Sequence, residues 1–317
     1  MIVAVLAATL ALAPPTASQV MQDGDPVYRV EEIIVEGHRL DEAASLFVGE
    51  VADPVRGRGP ARWDDGVCVG AANFSPEVAQ YLVDRVSDVA RDLGLRGHEP
   101  PCEPSILIIG AADAAAMADE LVASRPMLFR VGGSGMDQGL SALNAFRTGE
   151  RPVRWWNVSL PLDSDTGEIG VRLPGAAGAT VNLVDGSVFD YAPIIRRTTA
   201  SRLREDLRDV LKRSVVIIDV DLLDGITLAQ LADYVAMVSL AQVSPEADTG
   251  RFESILNLFE APELAGGLSA WDIAYLRGLY AIQPGYVGSA VQADALGDAI
   301  LRAYRAAPRA DETDGAE

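Results

Sequence analysis

The chain has 317 residues, 49% hydrophobic side chains and a formal net charge of -20. This length suits one large domain or two small ones, and the hydrophobic content excludes a globally disordered chain. The charge excludes a nucleic-acid partner, whose phosphates it would repel, and disfavours a peripheral role on anionic membranes.

The first 18 residues have the pattern of a secretory signal peptide. An uncharged apolar run from Ile2 to Ala13 is followed by two prolines and by Thr16-Ala17-Ser18, after which cleavage is expected. The run is too short to cross a bilayer, and no later segment is long and apolar enough to do so. We therefore predict a periplasmic or secreted protein without membrane insertion after signal cleavage. A buried N-terminal strand or helix is the alternative.

Residues 19–306 are expected to form a single domain, because neither an internal repeat nor an interdomain linker is found. Residues 307–317 form a polar tail without apolar periodicity and are predicted to be disordered. Near the start of the domain, Glu32–Val35 has the composition of a strand. The next segments are predicted as a helix over 41–51 and a loop over 54–60, which is rich in Arg and Gly.

A strand, a helix and a second strand follow between residues 67 and 109. The helix begins at Ser75-Pro76-Glu77, which combines an N-cap, a proline in the first position and an acid in the first turn, and it ends at Gly94. The flanking strands are predicted over 67–74 and 105–109, and this order favours a parallel βαβ unit. Parallel pairing would bring Cys68 close to Cys102. In an exported protein we expect these residues to form a disulfide, with free thiols as the alternative.

The middle of the chain is predicted to add further strands and helices. Adjacent Trp155 and Trp156 should point to opposite faces of a strand, with one in the core and the other exposed or covered by a loop. Gly132 to Gly139 is expected to be a surface loop, since it lacks the Lys-Ser/Thr of a phosphate loop. The remaining predicted elements are a helix over 113–123, strands over 151–160 and 168–173 joined by a turn at 163–167, a strand over 180–184, a helix over 201–213 and a strand over 215–220.

The stretch after Asp224 predicts a buried helix. Thr227 and Gln230 have the spacing of a capping box, and the residues that follow are apolar on nearly every side. Asp233 is the only charged side chain between Asp224 and Glu246. Two further helices are predicted, one capped by Ser269 over 271–280 and one over 292–306.

Three pieces of this region resemble zinc peptidases of the metzincin type, matrixins in particular. Those enzymes carry HExxHxxGxxH on a buried helix, then a Ser-Ile-Met turn, then a helix with a Leu-Ser-x-x-Asp-Ile…Leu-Tyr pattern. The corresponding pieces here are Ala232-Asp233-Tyr234-Val235-Ala236-Met237-Val238-Ser239-Leu240-Ala241-Gln242, Ser254-Ile255-Leu256, and Leu268-Ser269-Ala270-Trp271-Asp272-Ile273 with Leu279-Tyr280. The resemblance implies a zincin-like α+β (α/β mixed) fold. Such a fold has a mixed sheet, a long N-terminal helix and a buried former active-site helix.

The residues that would perform catalysis in such an enzyme are missing. The three zinc-ligand positions fall on Ala232, Ala236 and Gln242, the general base on Asp233, and the methionine of the turn on Leu256. A catalytic zinc ion needs three protein donors and one open position. Two methyl groups and a carboxamide do not provide them, so we predict no metal ion, no other cofactor and no catalytic residue.

The sequence therefore predicts an exported, catalytically inactive pseudo-metallopeptidase that binds a peptide or a protein in the cell envelope. One alternative is a hydrolase that uses carboxylates, namely Asp233 with Asp219, Asp221 or Glu246. Another is a structural envelope domain without a ligand cleft. For Asp233 itself, the two interpretations are a relic general base and a carboxylate that ties the helix to a loop.

Overall fold

The structure is a computed structural model that describes residues 26–56, 58–98, 101–129, 137–164, 167, 169, 207–282 and 289–306. Side chains are described from Arg39 onward in the first helix and from Val291 in the last. Residues up to Arg39 belong to a separate unit, and a second compact unit begins at Leu40. The predicted signal peptide, the glycines at 132–135, the strand at 180–184 and the tail at 307–317 lie outside the described residues.

Helices and strands follow one another along the described chain in a mixed α+β order. The helices are α1 (Pro26–Val51), α2 (Pro76–Asp92), α3 (Ala114–Ser124), α4 (Pro126–Phe129), α5 (Gly139–Thr148), α6 (Leu228–Leu240), α7 (Ala270–Ala281) and α8 (Ser289–Ala306). The strands are β1 (Gly66–Val67), β2 (Val69–Ala72), β3 (Arg96–Gly97), β4 (Ile106–Ala111), β5 (Val153–Asp163) and β6 (Leu207–Asp219).

The main sheet has the strand order β2-β4-β6-β5, and a parallel pair of short strands, β1 and β3, lies apart from it. Strands β2, β4 and β6 are parallel, whereas β5 runs antiparallel to β6 at the edge of the sheet. The sheet is therefore mixed, as predicted. Antiparallel pairing of β5 with β6 covers eleven residues of β5 and has an irregularity between Val158 and Ser159.

Helices cover both faces of the sheet. Because successive side chains along each strand point to opposite faces, they contribute to two separate cores. Trp155 points into the larger core, which contains α2, α6 and α7, and Trp156 points into the smaller core under α3 and α5. Both side chains are buried, so the second tryptophan is covered, as one of the two predicted alternatives states, but by helices rather than by a loop. The indole Nε1 of each finds a buried carbonyl, Val243 O at 3.0 Å for Trp155 and Phe129 O at 2.8 Å for Trp156.

The predicted βαβ unit and its disulfide are confirmed. The Ser75 side chain accepts from the Val78 N–H, Pro76 begins α2, and the chain turns at Gly94 with a φ of 83°. Strand β2 pairs in parallel with β4. This pairing brings Cys68 and Cys102 together in a disulfide with a Cα–Cα distance of 6.2 Å.

Two predicted elements are wrong. Glu32–Val35 lies within α1 rather than in a strand, because its three consecutive apolar residues fit either structure and here the helix extends over 26 residues. The helix predicted over 201–213 is also wrong from Leu207 onward, where the chain forms the first half of β6. Pairing with β5 outweighs the helical propensity of its charged residues, since strand propensity depends strongly on tertiary context.

None of the described helices is long and apolar enough to cross a membrane.

Candidate functional site

The two positions aligned with zinc-binding histidines lie in the hydrophobic core. Ala232 and Ala236 are both 0% exposed and belong to the cluster that α6 shares with α2 and α7. The predicted capping box between Thr227 and Gln230 is present and fixes the start of α6. Every residue from Gln230 to Leu240 is buried, so this helix presents no open metal position.

The third aligned position, Gln242, is held in a hydrogen-bonded connection between two parts of the chain. Its Oε1 accepts from the Ala61 N–H at 3.2 Å, and its Nε2 donates to the Ser159 Oγ at 3.3 Å. Its main-chain carbonyl accepts from the Asp53 N–H at 3.1 Å. Because the carboxamide is buried and bonded at both ends, it acts as a structural connector.

The position aligned with the general base carries an ion pair. Asp233 Oδ1 accepts from Arg85 Nε of α2 at 2.5 Å, and Oδ2 accepts from the Leu268 N–H at 3.0 Å. A Cβ atom added to Gly267 would lie 2.7 Å from this Oδ2. The carboxylate therefore links α6 to α2 and to the loop before α7, which is the structural one of the two interpretations given to it.

The turn aligned with the methionine turn is fixed by a buried carboxylate. Asp272 accepts from the Ser254 hydroxyl at 2.6 Å, the Ile255 N–H at 2.8 Å and the Ser269 N–H at 2.9 Å. Burial raises the pKa of Asp272, while these hydrogen bonds act in the opposite direction. Leu256 lies in the short 3₁₀ helix of this turn, which packs under α6.

Side chains from three separate elements satisfy the carbonyls at the C-terminus of α6. Asn157 Nδ2 donates to Val238 O at 3.0 Å and to Ala241 O at 2.9 Å. Trp63 Nε1 donates to Ser239 O at 3.0 Å, and the Tyr280 hydroxyl donates to Leu240 O at 2.8 Å. A helix end has carbonyls without partners inside the helix, and here all four find partners. Burial also raises the pKa of Tyr280.

A segment that we call the strap, residues 52–63, of which all but residue 57 are described, lies against β5 and the end of α6. Ala52 forms an antiparallel bridge with Val243. Arg58 donates to Ser159 O at 3.2 Å and to the Asp209 carboxylate at 2.5 Å. All eleven residues of β5 are buried. On this edge strand, the main-chain carbonyl of Ser159 therefore already accepts a hydrogen bond from the strap.

The carboxylates considered for hydrolysis have separate partners. Asp219 accepts from the Ala114 N–H at 3.1 Å and from the Asp221 N–H at 3.3 Å, so it fixes the start of α3 and its own turn. Asp221 is exposed, and Glu246 is paired with Arg151 at 2.7 Å. Together with the Arg85 partner of Asp233, these contacts give each buried carboxylate a structural role.

Sequence reasoning missed a pocket of about 50 Å³ beside the C-terminus of α7. We call it the arginine pocket, and its lining consists of Pro60, Arg62, Asp64, Leu207, Arg208, Asp209, Val210, Leu279, Ile282 and Gln292. Arg62 lies outside every predicted element and Arg208 lies within the helix predicted over 201–213, so no local motif indicates either side chain. The alternation of the real strand, in which Arg208 and Val210 share a face, is the signal that indicates the pocket.

The residues at the zincin-aligned positions do not fit a catalytic zinc ion. Ala232 and Ala236 have no donor atom, and Gln242 uses both ends of its carboxamide on protein groups. Within the described ranges, no three His, Cys, Asp or Glu side chains group in a way that would hold a metal ion.

No protein family, no curated protein and no solved structure gives a significant match to this chain.

Proposed function

We propose that this protein is an exported, non-catalytic binding protein built on a zincin-like scaffold, with a peptide or protein as its ligand. The observation that carries the proposal is the state of the three aligned zinc positions. Two are methyl groups in the core, and the third is a carboxamide bonded to the strap and to β5. A pseudo-peptidase keeps the framework of the enzyme and lacks the donors that its chemistry needs.

The order of elements supports the zincin-like scaffold. Helix α2 with its flanking strands, the edge strand β5, the buried helix α6, a turn and the capped helix α7 occur in the order that the resemblance implies, with β6 between β5 and α6 and with α8 after α7. The buried helix and the turn also pack together, with Asp272 joining the turn to the start of α7.

Two further observations support export and binding. Disulfides persist mainly in oxidising compartments, and the Cys68–Cys102 bond is consistent with a periplasmic or secreted protein. The arginine pocket gives the molecule a concave site, which a purely structural envelope domain does not need.

The proposal is tested on residues 19–317, purified without a chelator and without a metal-binding tag. We expect zinc content far below one ion per chain, no chelator-sensitive cleavage of a quenched fluorescent peptide library, and saturable binding of a subset of an immobilised library of defined peptides. Stoichiometric zinc with chelator-sensitive cleavage would overturn the proposal. So would the failure of every peptide and envelope-protein ligand to bind.

A further inference from the structure

We propose that the arginine pocket binds a carboxylate group attached to an apolar body. This inference rests on the proposed binding function and names the chemical class of the ligand. Two sources share this chemistry, a small carboxylic acid and the C-terminus of a peptide, and the experiment below separates them.

One of the two arginines in the pocket is anchored by its backbone and by one nitrogen. Arg62 pairs in parallel with Val210 of β6, so its Cα position is fixed by the sheet. Its Nη1 alone makes the three contacts with the end of α7, donating to the carbonyls of Leu279 at 3.0 Å, Tyr280 at 3.0 Å and Ile282 at 2.6 Å. Its Nε and Nη2 have no hydrogen-bond partner in the described part of the chain, so one edge of a fixed guanidinium is available.

The second arginine, Arg208, is also held through one of its terminal nitrogens. Arg208 Nη1 donates to Asp64 Oδ1 at 2.8 Å. Its Nε is buried and has no partner among the described residues. The side chain is 25% exposed, so the guanidinium is only partly hydrated. Buried donors normally have an acceptor, so the guanidinium of Arg208 retains hydrogen-bonding capacity that the described part of the chain does not use.

The charges in the pocket favour a group with a single negative charge. Asp209 is already paired with Arg58 and accepts from the Gly59 N–H, which leaves Arg62, Arg208 and Asp64. Two guanidinium groups and one carboxylate sum to one positive charge, which a carboxylate neutralises and a phosphate dianion overcompensates. The planar fork of a guanidinium also matches the two oxygens of a carboxylate.

Apart from Gln292, the rest of the lining is apolar, and it determines which group the carboxylate of a ligand carries. Pro60, Val210, Leu279 and Ile282 contribute carbon surface beside the two arginines. A volume of about 50 Å³ suits a short branched group rather than a large ring system. A branched aliphatic acid, or a peptide that ends in an apolar residue, combines both features.

Isothermal titration of residues 19–317 tests the proposal with five named probes. These are isovalerate, its neutral analogue isovaleramide, inorganic phosphate, the peptide Ala-Ala-Ala-Leu with a free C-terminus, and the same peptide as its amide. We expect saturable binding of the free carboxylates and no binding of either amide. Tighter binding of the peptide than of isovalerate indicates a peptide C-terminus as the source, and the reverse indicates a free acid.

Two variants and a matched control locate the binding. Arg208→Met should weaken carboxylate binding by about tenfold or more, since truncating one side of a charged contact raises the dissociation rate. Asp64→Asn should strengthen it by about threefold, because it removes a partly exposed negative charge. Arg151→Met is the control, since Arg151 is 24% exposed, is also paired with an acid, and lies outside the pocket lining. Far-UV circular dichroism confirms that each variant is folded.

Lack of saturable binding by every carboxylate would overturn the inference, and so would tighter binding of phosphate. Equal effects of Arg208→Met and Arg151→Met would also overturn it. These results are distinguishable from failure of the proposed function, because zinc content and peptide cleavage are measured on the same preparation. Metal-free protein that binds no carboxylate refutes only the inference, whereas zinc-dependent cleavage refutes the proposed function.

Discussion

At the scale of single residues, Asp233 is aligned with the general base of the zinc peptidases but has a structural role. A carboxylate on a buried helix is unfavourable unless hydrogen bonds or a cation compensate for lost hydration. Here Arg85 supplies the cation and the Leu268 N–H a second donor. The Asp233 side chain is 11% exposed and that of Arg85 37%, so the ion pair lies at the border of the core.

Gly267 gives a direct test of this contact. Gly267→Ala would place its Cβ atom 2.7 Å from Asp233 Oδ2, so the carboxylate or the loop must shift. We expect the variant to lose about 1–3 kcal/mol of unfolding free energy, the range for overpacking. Gly266→Ala is the control, because a Cβ atom there meets nothing within 4 Å. Urea unfolding of both variants measures the difference, and equal stabilities would contradict the role given to Asp233.

Asp272 provides a test based on pH. Burial raises its pKa above the ordinary value of 3.8, so the folded chain binds this proton more tightly than the unfolded chain. Its contribution to stability is therefore complete below pH 3.8 and is lost as the pH rises through the raised folded value. Asp272→Asn removes this titration but keeps an acceptor for the Ile255 and Ser269 N–H groups.

We therefore expect the stability of the wild type relative to Asp272→Asn to fall between pH 4 and pH 7. Urea unfolding at both pH values measures it, with Asp248→Asn, on the loop before the turn, as the control. A relative stability that rises with pH would mean that the hydrogen bonds outweigh burial and that the pKa is lowered.

At the scale of elements, the C-terminus of α6 is stabilised by side chains that are distant in sequence. Asn157 on β5 bridges the carbonyls of Val238 and Ala241, and it is 5% exposed. A buried carbonyl that loses its donor keeps the full desolvation penalty. The end of this helix therefore depends on the edge strand rather than on a local cap.

Asn157→Ala should accordingly destabilise the protein by about 2–3 kcal/mol, from two carbonyls left without a donor. Asn144→Ala, on the exposed surface of α5, is the matched control and should change stability by less than about 0.5 kcal/mol. Urea denaturation gives both values. A change for Asn157→Ala as small as for the control would show that water replaces the lost donor.

Local signals account for what the sequence predicted correctly at this scale. The caps at Ser75, Thr227 and Ser269 lie within three residues of the groups they bond, so α2, α6 and α7 follow from short motifs. The N-terminal half of β6 was not predictable in this way, because its structure depends on pairing with β5. The arginine pocket was missed for the same reason. Arg62 and Arg208 are 146 positions apart in the sequence, and only the strand structure of β6 places them beside one another.

At the scale of the whole molecule, the net charge of -20 and the arginine pocket act in opposite directions on an anionic ligand. The overall field slows the approach of an anion, and added salt screens this repulsion over distances beyond about 10 Å. Contacts inside the pocket are shorter and are screened less. Specificity for a carboxylate therefore arises from the two guanidinium groups and not from the surface as a whole.

The disulfide acts at the same scale, because it closes a loop that contains all of α2. The two cysteines are separated by 34 positions, and a loop of this length corresponds to about 3–4 kcal/mol in the chain-entropy treatment. Cys68→Ala/Cys102→Ala should lose stability of this order. A reductant should lower the urea midpoint of the wild type to that of the double variant and leave the variant unchanged. Equal midpoints for oxidised wild type and double variant would mean that sheet pairing alone, through the parallel contact of β2 with β4, fixes this part of the fold.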